Sequence, residues 1–353
     1  MELRILLAFI AIFGLSRSEP LSKRENENRL RTCGSIVQKK VLSGITAKQS
    51  DAPWSVALKP NGQSGCTGTL VSSRHVLTAS HCFAIGIEDN GWKRVQKNKG
   101  QCRDGHYFMD KVPEDRQSLD NYMIHSDNKS VVGIKRAIFL NGCLEKKLSG
   151  ALSSPGLVYE DFAILELKHD VQFTDTLQPA CVAAPGPKVP VGVDLHYFGY
   201  GWNPETGGVG SLLYEKTQSI PLKLPLDDYF FMSLDPDRIR MTCPGDSGGG
   251  AMSTDGDKIT LIGVLSQTNC QAYVTGSKVD PVEIFSSVAY YSKHLCTFAG
   301  ICSDGSIVTK NDKGEKMTKE MEMEMAEMAK REKSHSGWNL PFFAMSIVAL
   351  MLY

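Results

Sequence analysis

The sequence has no excess of charge of either sign: lysine plus arginine and aspartate plus glutamate both number 39 in 353 residues. No overall field therefore favours nucleic acid or an anionic membrane surface. The chain also lacks a C-x-x-C pair and an H-E-x-x-H motif, the short signatures of redox and zinc chemistry. Neither a metal nor another cofactor is expected. Its longest apolar stretches fall short of the roughly 20 residues that a membrane-spanning helix needs. A hydrophobic content of 42% is nevertheless that of a chain that buries a real core.

What is present begins with a leader. Arg4 precedes an apolar run from Ile5 to Leu15, and Ser16-Arg17-Ser18 supplies small residues for cleavage, so residues 1–18 read as a secretory signal. Secretion places the ten cysteines in an oxidising compartment, where an even number points to disulfides. Residues 19–40 are polar, hold the single Cys33 and show no apolar periodicity, as a propeptide would. From Val41 to Cys302 the text changes to short β-type runs. Trp54–Leu58, Thr69–Val71, Arg74–Thr78, Ala163–Leu167 and Ile259–Leu265 are separated by Gly, Pro, Asn and Asp clusters. That pattern predicts an all-β sandwich or a pair of barrels.

Residues 303–336 are charged, with acids, bases and methionines but scarcely an aromatic or β-branched side chain between Lys310 and Lys333. Met317, Met321, Met325 and Met328 fall near helical spacing, so this stretch is either a solvated stalk or an interaction face. Residues 337–353 end the chain in an apolar tail. With small residues at Ser334, Ser336 and Gly337 it could be a GPI-attachment signal, although the polar spacer is short, or simply a buried or disordered end.

Three segments carry chemistry. Leu77-Thr-Ala-Ser-His81-Cys82 sets a histidine beside a cysteine that can pin it. Asp161-Phe-Ala-Ile-Leu165 opens an apolar strand with an aspartate. Cys243-Pro-Gly245-Asp246-Ser247-Gly-Gly249 sets a serine in a glycine-rich turn. Hydrolysis by a serine needs a hydroxyl activated by an imidazole, an acid that fixes the imidazole tautomer, and donors for the developing oxyanion. Each residue alone has an ordinary structural explanation; the three together, in the order His, Asp, Ser, do not.

With TASHC, DFAIL and GDSGGG where family hallmarks read TAAHC, DIAL and GDSGGP, the chain resembles the trypsin and chymotrypsin family from Val41 to about Cys296. The resemblance implies two Greek-key β-barrels with a short C-terminal helix and a serine endopeptidase with His81, Asp161 and Ser247 as its triad. It assigns the oxyanion hole to the amides of Gly245 and Ser247, and gives Ser266 the task of supporting the aspartate. Activation would fall between Lys40 and Val41, freeing a Val41 ammonium to pair with Asp246; Ser43 departs from the glycine usual there. The dibasic Lys39-Lys40 suits more than one activating protease. Cys66 pairs with Cys82, Cys243 with Cys270 and Cys33 with Cys181 by the same resemblance. Elimination leaves Cys102 with Cys143 and Cys296 with Cys302. Between His81 and Asp161 the chain is longer than the family allows, and Asn128-Lys-Ser130 in that insertion is a glycosylation sequon.

The base of the primary pocket falls at Met241 with Thr242 beside it, where trypsin-like members carry Asp, and this favours an apolar substrate residue. Thr268 and Glu283 stand where glycines are usual. Glu283 could restore basic specificity from the wall or could point away. Expected partners are polypeptide substrates, an activating protease and protein inhibitors, at the cell surface or outside it. The competing reading is a binding module that has kept the fold and lost catalysis, and a third, resting on the tail alone, is a membrane-anchored adhesion or signalling protein.

Overall fold

This computed structural model describes residues 20–35, 46–60, 65–83, 101–109, 122–126, 129–141, 161–186, 189–203, 206–220, 229–255, 258–270 and 280–303. The leader, Lys40, Val41, Asn128, Cys143, the charged stalk and the apolar tail lie outside the described residues. So does any bond from Cys102.

The β-type runs become strands whose ends lie within three residues of their expected places. The first sheet contains β1 (Ser55–Pro60), β2 (Cys66–Leu70), β3 (His75–Thr78), β4 (Gln101–Arg103), β5 (His106–Met109), β6 (Tyr122–Ser126), β7 (Lys129–Phe139) and β8 (Ala163–Leu167). Pairing runs β1–β2–β3–β8–β7–β6 and returns to β1, a closed barrel of six strands with the β4–β5 hairpin added at β7. The second sheet contains β9 (Cys181–Val182), β10 (Asp194–Gly199), β13 (Leu213–Ile220), β14 (Phe230–Leu234), β15 (Gly250–Asp255), β16 (Lys258–Thr268) and β17 (Val282–Ser287). A small hairpin, β11 (Trp202–Asn203) with β12 (Gly208–Val209), stands apart from it. This sheet closes as β10–β13–β14–β17–β16–β15, with β9 parallel to β16 outside the ring.

Both rings therefore follow one rule: three strands in sequence, then the sixth, fifth and fourth. That is the Greek-key order, and closure removes the exposed edges an open sheet would present. β8 is buried along its whole length because its two faces serve two cores. Ala163 and Leu165 fill barrel one with Val56, Leu70 and Phe139, while Ile164 faces a second cluster with Trp54, Leu77, Phe198 and Leu261. That second cluster is the seam between the barrels. Each large apolar side chain buried there contributes about 1.5–3 kcal/mol.

Helix α1 (Lys23–Thr32) opens with a capping box in which Ser22 and Glu25 satisfy each other's backbone amides. Helix α2 (Val288–Ala299) buries Val288, Tyr291, Leu295 and Ala299, residues three or four apart and hence on one face. Tyr291 stacks on Phe162 with ring centroids 4.4 Å apart, so α2 fastens onto the residue next to Asp161. Among the described residues four disulfides close the body: Cys33–Cys181, Cys66–Cys82, Cys243–Cys270 and Cys296–Cys302. Among the described residues no helix is long and apolar enough to cross a membrane.

Candidate active site

Barrel one supplies His81 and Asp161, the expected base and its acid. His81 sits in a short 3-10 turn, Ser80–Cys82, directly after β3, and Asp161 lies two residues before β8, the neighbour of β3. Strand pairing thus brings together residues far apart in sequence. Asp161 has no exposed surface, and all its acceptor capacity is used. Oδ1 accepts from the Ser80 hydroxyl and the His81 amide, each at 2.9 Å. Oδ2 accepts from His81 Nδ1 at 2.6 Å and from the Ser266 hydroxyl at 2.7 Å.

Those donors decide the electrostatics. Burial raises the Asp161 pKa, but the His81 ring, Ser266 and the His81 amide outweigh it and hold the carboxyl below its usual value. Burial likewise works against a charged His81, yet the Asp161 carboxylate overrides it and the imidazole pKa is raised. An ionised Asp161 only accepts, so Nδ1 carries the proton and Nε2 is left as the base.

Barrel two supplies the serine. Ser247 lies in the turn before β15, and its carbonyl accepts the Thr67 amide of β2 at 2.9 Å. The same oxygen is 3.7 Å from Cys82 Sγ, one residue past His81. Thr67 also donates its hydroxyl to the Gly245 carbonyl and accepts from the Tyr200 amide, each at 3.0 Å. One threonine of barrel one thus fixes three points of barrel two around the serine. The Cys66 and Cys82 sulfurs lie within 4.8 Å of the His81 ring, but they are joined to each other and offer no thiolate to a metal.

Within the serine turn the amides of Asp246, Gly248 and Gly249 donate to the carbonyls of Cys243, Leu265 and Asp246. Among the described residues the Gly245 and Ser247 amides donate to no acceptor. Gly245 adopts φ +101°, a left-handed conformation open to glycine, and this lets the turn double back. Two free N–H groups, a hydroxyl and a positioned imidazole make an arrangement suited to acyl transfer.

Residues 3–302 match the nematode trypsin-6-like family. The chain belongs to that family, within the chymotrypsin- and trypsin-like proteins. It is also 26% identical over 274 residues to spermosin from Halocynthia roretzi, a match covering 73% of this chain and 62% of spermosin. The chain thus spans less than two thirds of that relative's length.

Asp246 is buried and its two oxygens accept the Gly201 and Cys243 amides, each at 2.8 Å. The Gly201 backbone approaches so closely that a Cβ there would lie 2.2 Å from Oδ2. Burial lifts the carboxyl pKa to about 7 against the pull of those two amides. Among the described residues no cation faces it.

The expected pocket residues divide into two groups. Thr242, Thr268 and Glu283 come together: the Thr268 hydroxyl donates to the Thr242 carbonyl at 2.8 Å and the Thr242 amide donates to Glu283 Oε1 at 2.9 Å. Met241 is half-buried beside them. Ser266 donates to Asp161, the support expected of it. Glu283 does not face solvent, since it is fully buried. Sequence reasoning missed Ser80 and Ser286, whose hydroxyls hold the Asp161 carboxylate and its carbonyl. The signal for Ser80 was its place in TASHC, where the family pattern has alanine.

Proposed function

We propose that this chain is a secreted serine endopeptidase that hydrolyses peptide bonds through an acyl-enzyme, made as a zymogen and activated by cleavage between Lys40 and Val41. The observation that carries this reading is the Asp161 carboxylate, filled by four donors and 2.6 Å from His81 Nδ1, across the barrel seam from Ser247. His81 Nε2 takes the Ser247 proton as Oγ bonds to the substrate carbonyl carbon, and the carbonyl oxygen, now anionic, is received by the Gly245 and Ser247 amides. His81 then gives its proton to the departing amine. Water repeats the sequence on the acyl group and returns Ser247 to its hydroxyl form.

The apolar Met241 at the pocket base supports preference for an apolar substrate residue. The leader at residues 1–18 supports export, and the C-terminal tail, if it is a GPI signal, would keep the enzyme at the outer cell surface. Partners on this reading are polypeptide substrates, an activating protease and protein inhibitors.

The test is labelling with a fluorophosphonate probe after cleavage at Lys40. One adduct on Ser247, absent in Ser247→Ala, is expected. No adduct on correctly cleaved, folded protein would refute the reading in favour of a binding module.

A further inference from the structure

The interior of barrel two holds acids that the triad does not use. Glu215 on β13 is 5% exposed and Glu283 on β17 is 0% exposed. Hydroxyls link β13, β14 and β17 at this level: Thr217 donates to Ser233, and Ser233 to Glu283 Oε2, each at 2.8 Å. Glu283 Oε1 takes the Thr242 amide. Glu215 stands two residues from Thr217 on the same face of β13 and opposite Tyr197 on β10, which sets its carboxyl beside Glu283; Asp246, Asp235 and the Tyr197 phenol act on the same site.

The donors show where the proton must be. Glu283 receives an N–H from Thr242 and an O–H from Ser233, which suits the ionised member of a pair. Glu215 has its Oε1 buried and without a hydrogen-bond partner among the described residues, which an ionised carboxylate would not tolerate. Two carboxyl groups in contact share one proton. The donor pattern assigns it to Glu215. Burial and the neighbouring Glu283 also raise the Glu215 pKa well above its ordinary value.

We infer that Glu215 is a positioning residue for the primary pocket: its carboxyl proton keeps Glu283 bound to the Thr242 amide and so holds the Met241–Thr242 floor in its receptive shape. This inference rests on the peptidase reading. Removal of that proton sets two negative charges against each other inside the barrel, with Asp246 and Asp235 adding to them. Glu283 then leaves Thr242 and the floor shifts. The triad sits at the barrel seam and is held by separate donors, so the cost falls on substrate binding.

The experiment compares Glu215→Leu, which offers no donor, with Glu215→Gln, whose amide donates but does not titrate. KM rises about tenfold in the Leu variant with kcat little changed, and Gln restores it. As the pair deprotonates in the parent, KM climbs about tenfold per pH unit, and this limb is absent in Glu215→Gln. An alkaline KM limb that persists in Glu215→Gln belongs to another group, such as the Val41 ammonium, and overturns the assignment. The same substitutions in Ser247→Ala protein, read as Kd for a phenylalanine-bearing peptide, need no turnover. Equal Kd across parent, Leu and Gln overturns the inference. Peptide bound as expected but never cleaved by the parent refutes only the peptidase reading.

Discussion

Asp246 makes the stability of the uncleaved chain depend on pH, and cleavage at Lys40 should reverse that dependence. The carboxyl titrates near 3.8 when unfolded and at about 7 when folded. A pKa raised by folding means that the folded state binds the proton more tightly. The associated stability is complete below about pH 4 and is lost as pH rises to about 7. A shift of about 3 units at about 1.4 kcal/mol each is about 4 kcal/mol, a large part of a domain's net stability. The perturbation is Asp246→Asn, which keeps the shape and cannot titrate. Urea unfolding with the disulfides intact, followed by tryptophan fluorescence between about pH 4 and pH 8, measures both proteins. The parent should lose about 4 kcal/mol relative to the variant across that range. After cleavage the Val41 ammonium would favour the ionised acid, and the difference should rise with pH instead. A difference that stays level in the uncleaved protein would refute the claim that Asp246 is buried without a cation.

The remaining predictions concern the triad and its activation. Asp161→Asn should lower kcat by about 10⁴ with folding intact, because a carboxamide cannot accept from all four donors and fix the His81 tautomer; stopped-time peptide hydrolysis checks this. Protonated His81 cannot act as a base, and its pKa is raised, so kcat/KM should fall on the acid side with a midpoint above 6.5; a midpoint at or below that value would contradict the Asp161 contact. Lys40→Gln should yield a secreted, folded and inactive chain, and full activity without cleavage would remove the Val41–Asp246 pairing from the mechanism.

Much of this site was legible because its chemistry is written in short segments. TASHC, DFAIL and GDSGG each set one residue of the expected triad beside the strand or turn that carries it; β3–β8 pairing joins the first two, and the Thr67 amide holds Ser247 to barrel one. The run Ala163–Leu167 is strand β8 to the residue, since a strand serving two cores reads as almost continuous apolar text, interrupted here only by Glu166, which pairs with Lys135 and Arg136. Glu283 was not legible in the same way. On β17 it shares the barrel-interior face with Phe285, yet Ile284 between them is also buried, so no alternation marks which face is inside. Its partner Glu215 stands in a strand where Tyr214 and Thr217 are buried on opposite faces, and nothing local announces that the two acids meet.

The segment before the proposed cleavage point was the least legible, for a reason intrinsic to hydrophobic patterning. Residues 19–40 show no apolar period, and α1 does not need one, because most of what holds it is polar. Asn26 Nδ2 and Arg29 converge on the Cys302 carbonyl at 3.0 and 2.8 Å. Glu25 forms an ion pair with Arg74 at the start of β3, and the Leu21 amide donates to the Ala299 carbonyl at 2.9 Å. Arg29 is 4% exposed, and burial lowers its pKa to about 10, so it remains a cation at neutral pH and pays for its burial with those bonds. These contacts tie barrel one to the end of α2, and Cys33–Cys181 ties the same segment to β9. The proposed cleavage after Lys40 would therefore cut the chain downstream of a helix that both barrels hold. The segment would stay with the body through a disulfide and a buried polar network, and a new terminus at Val41 would be freed without releasing what precedes it.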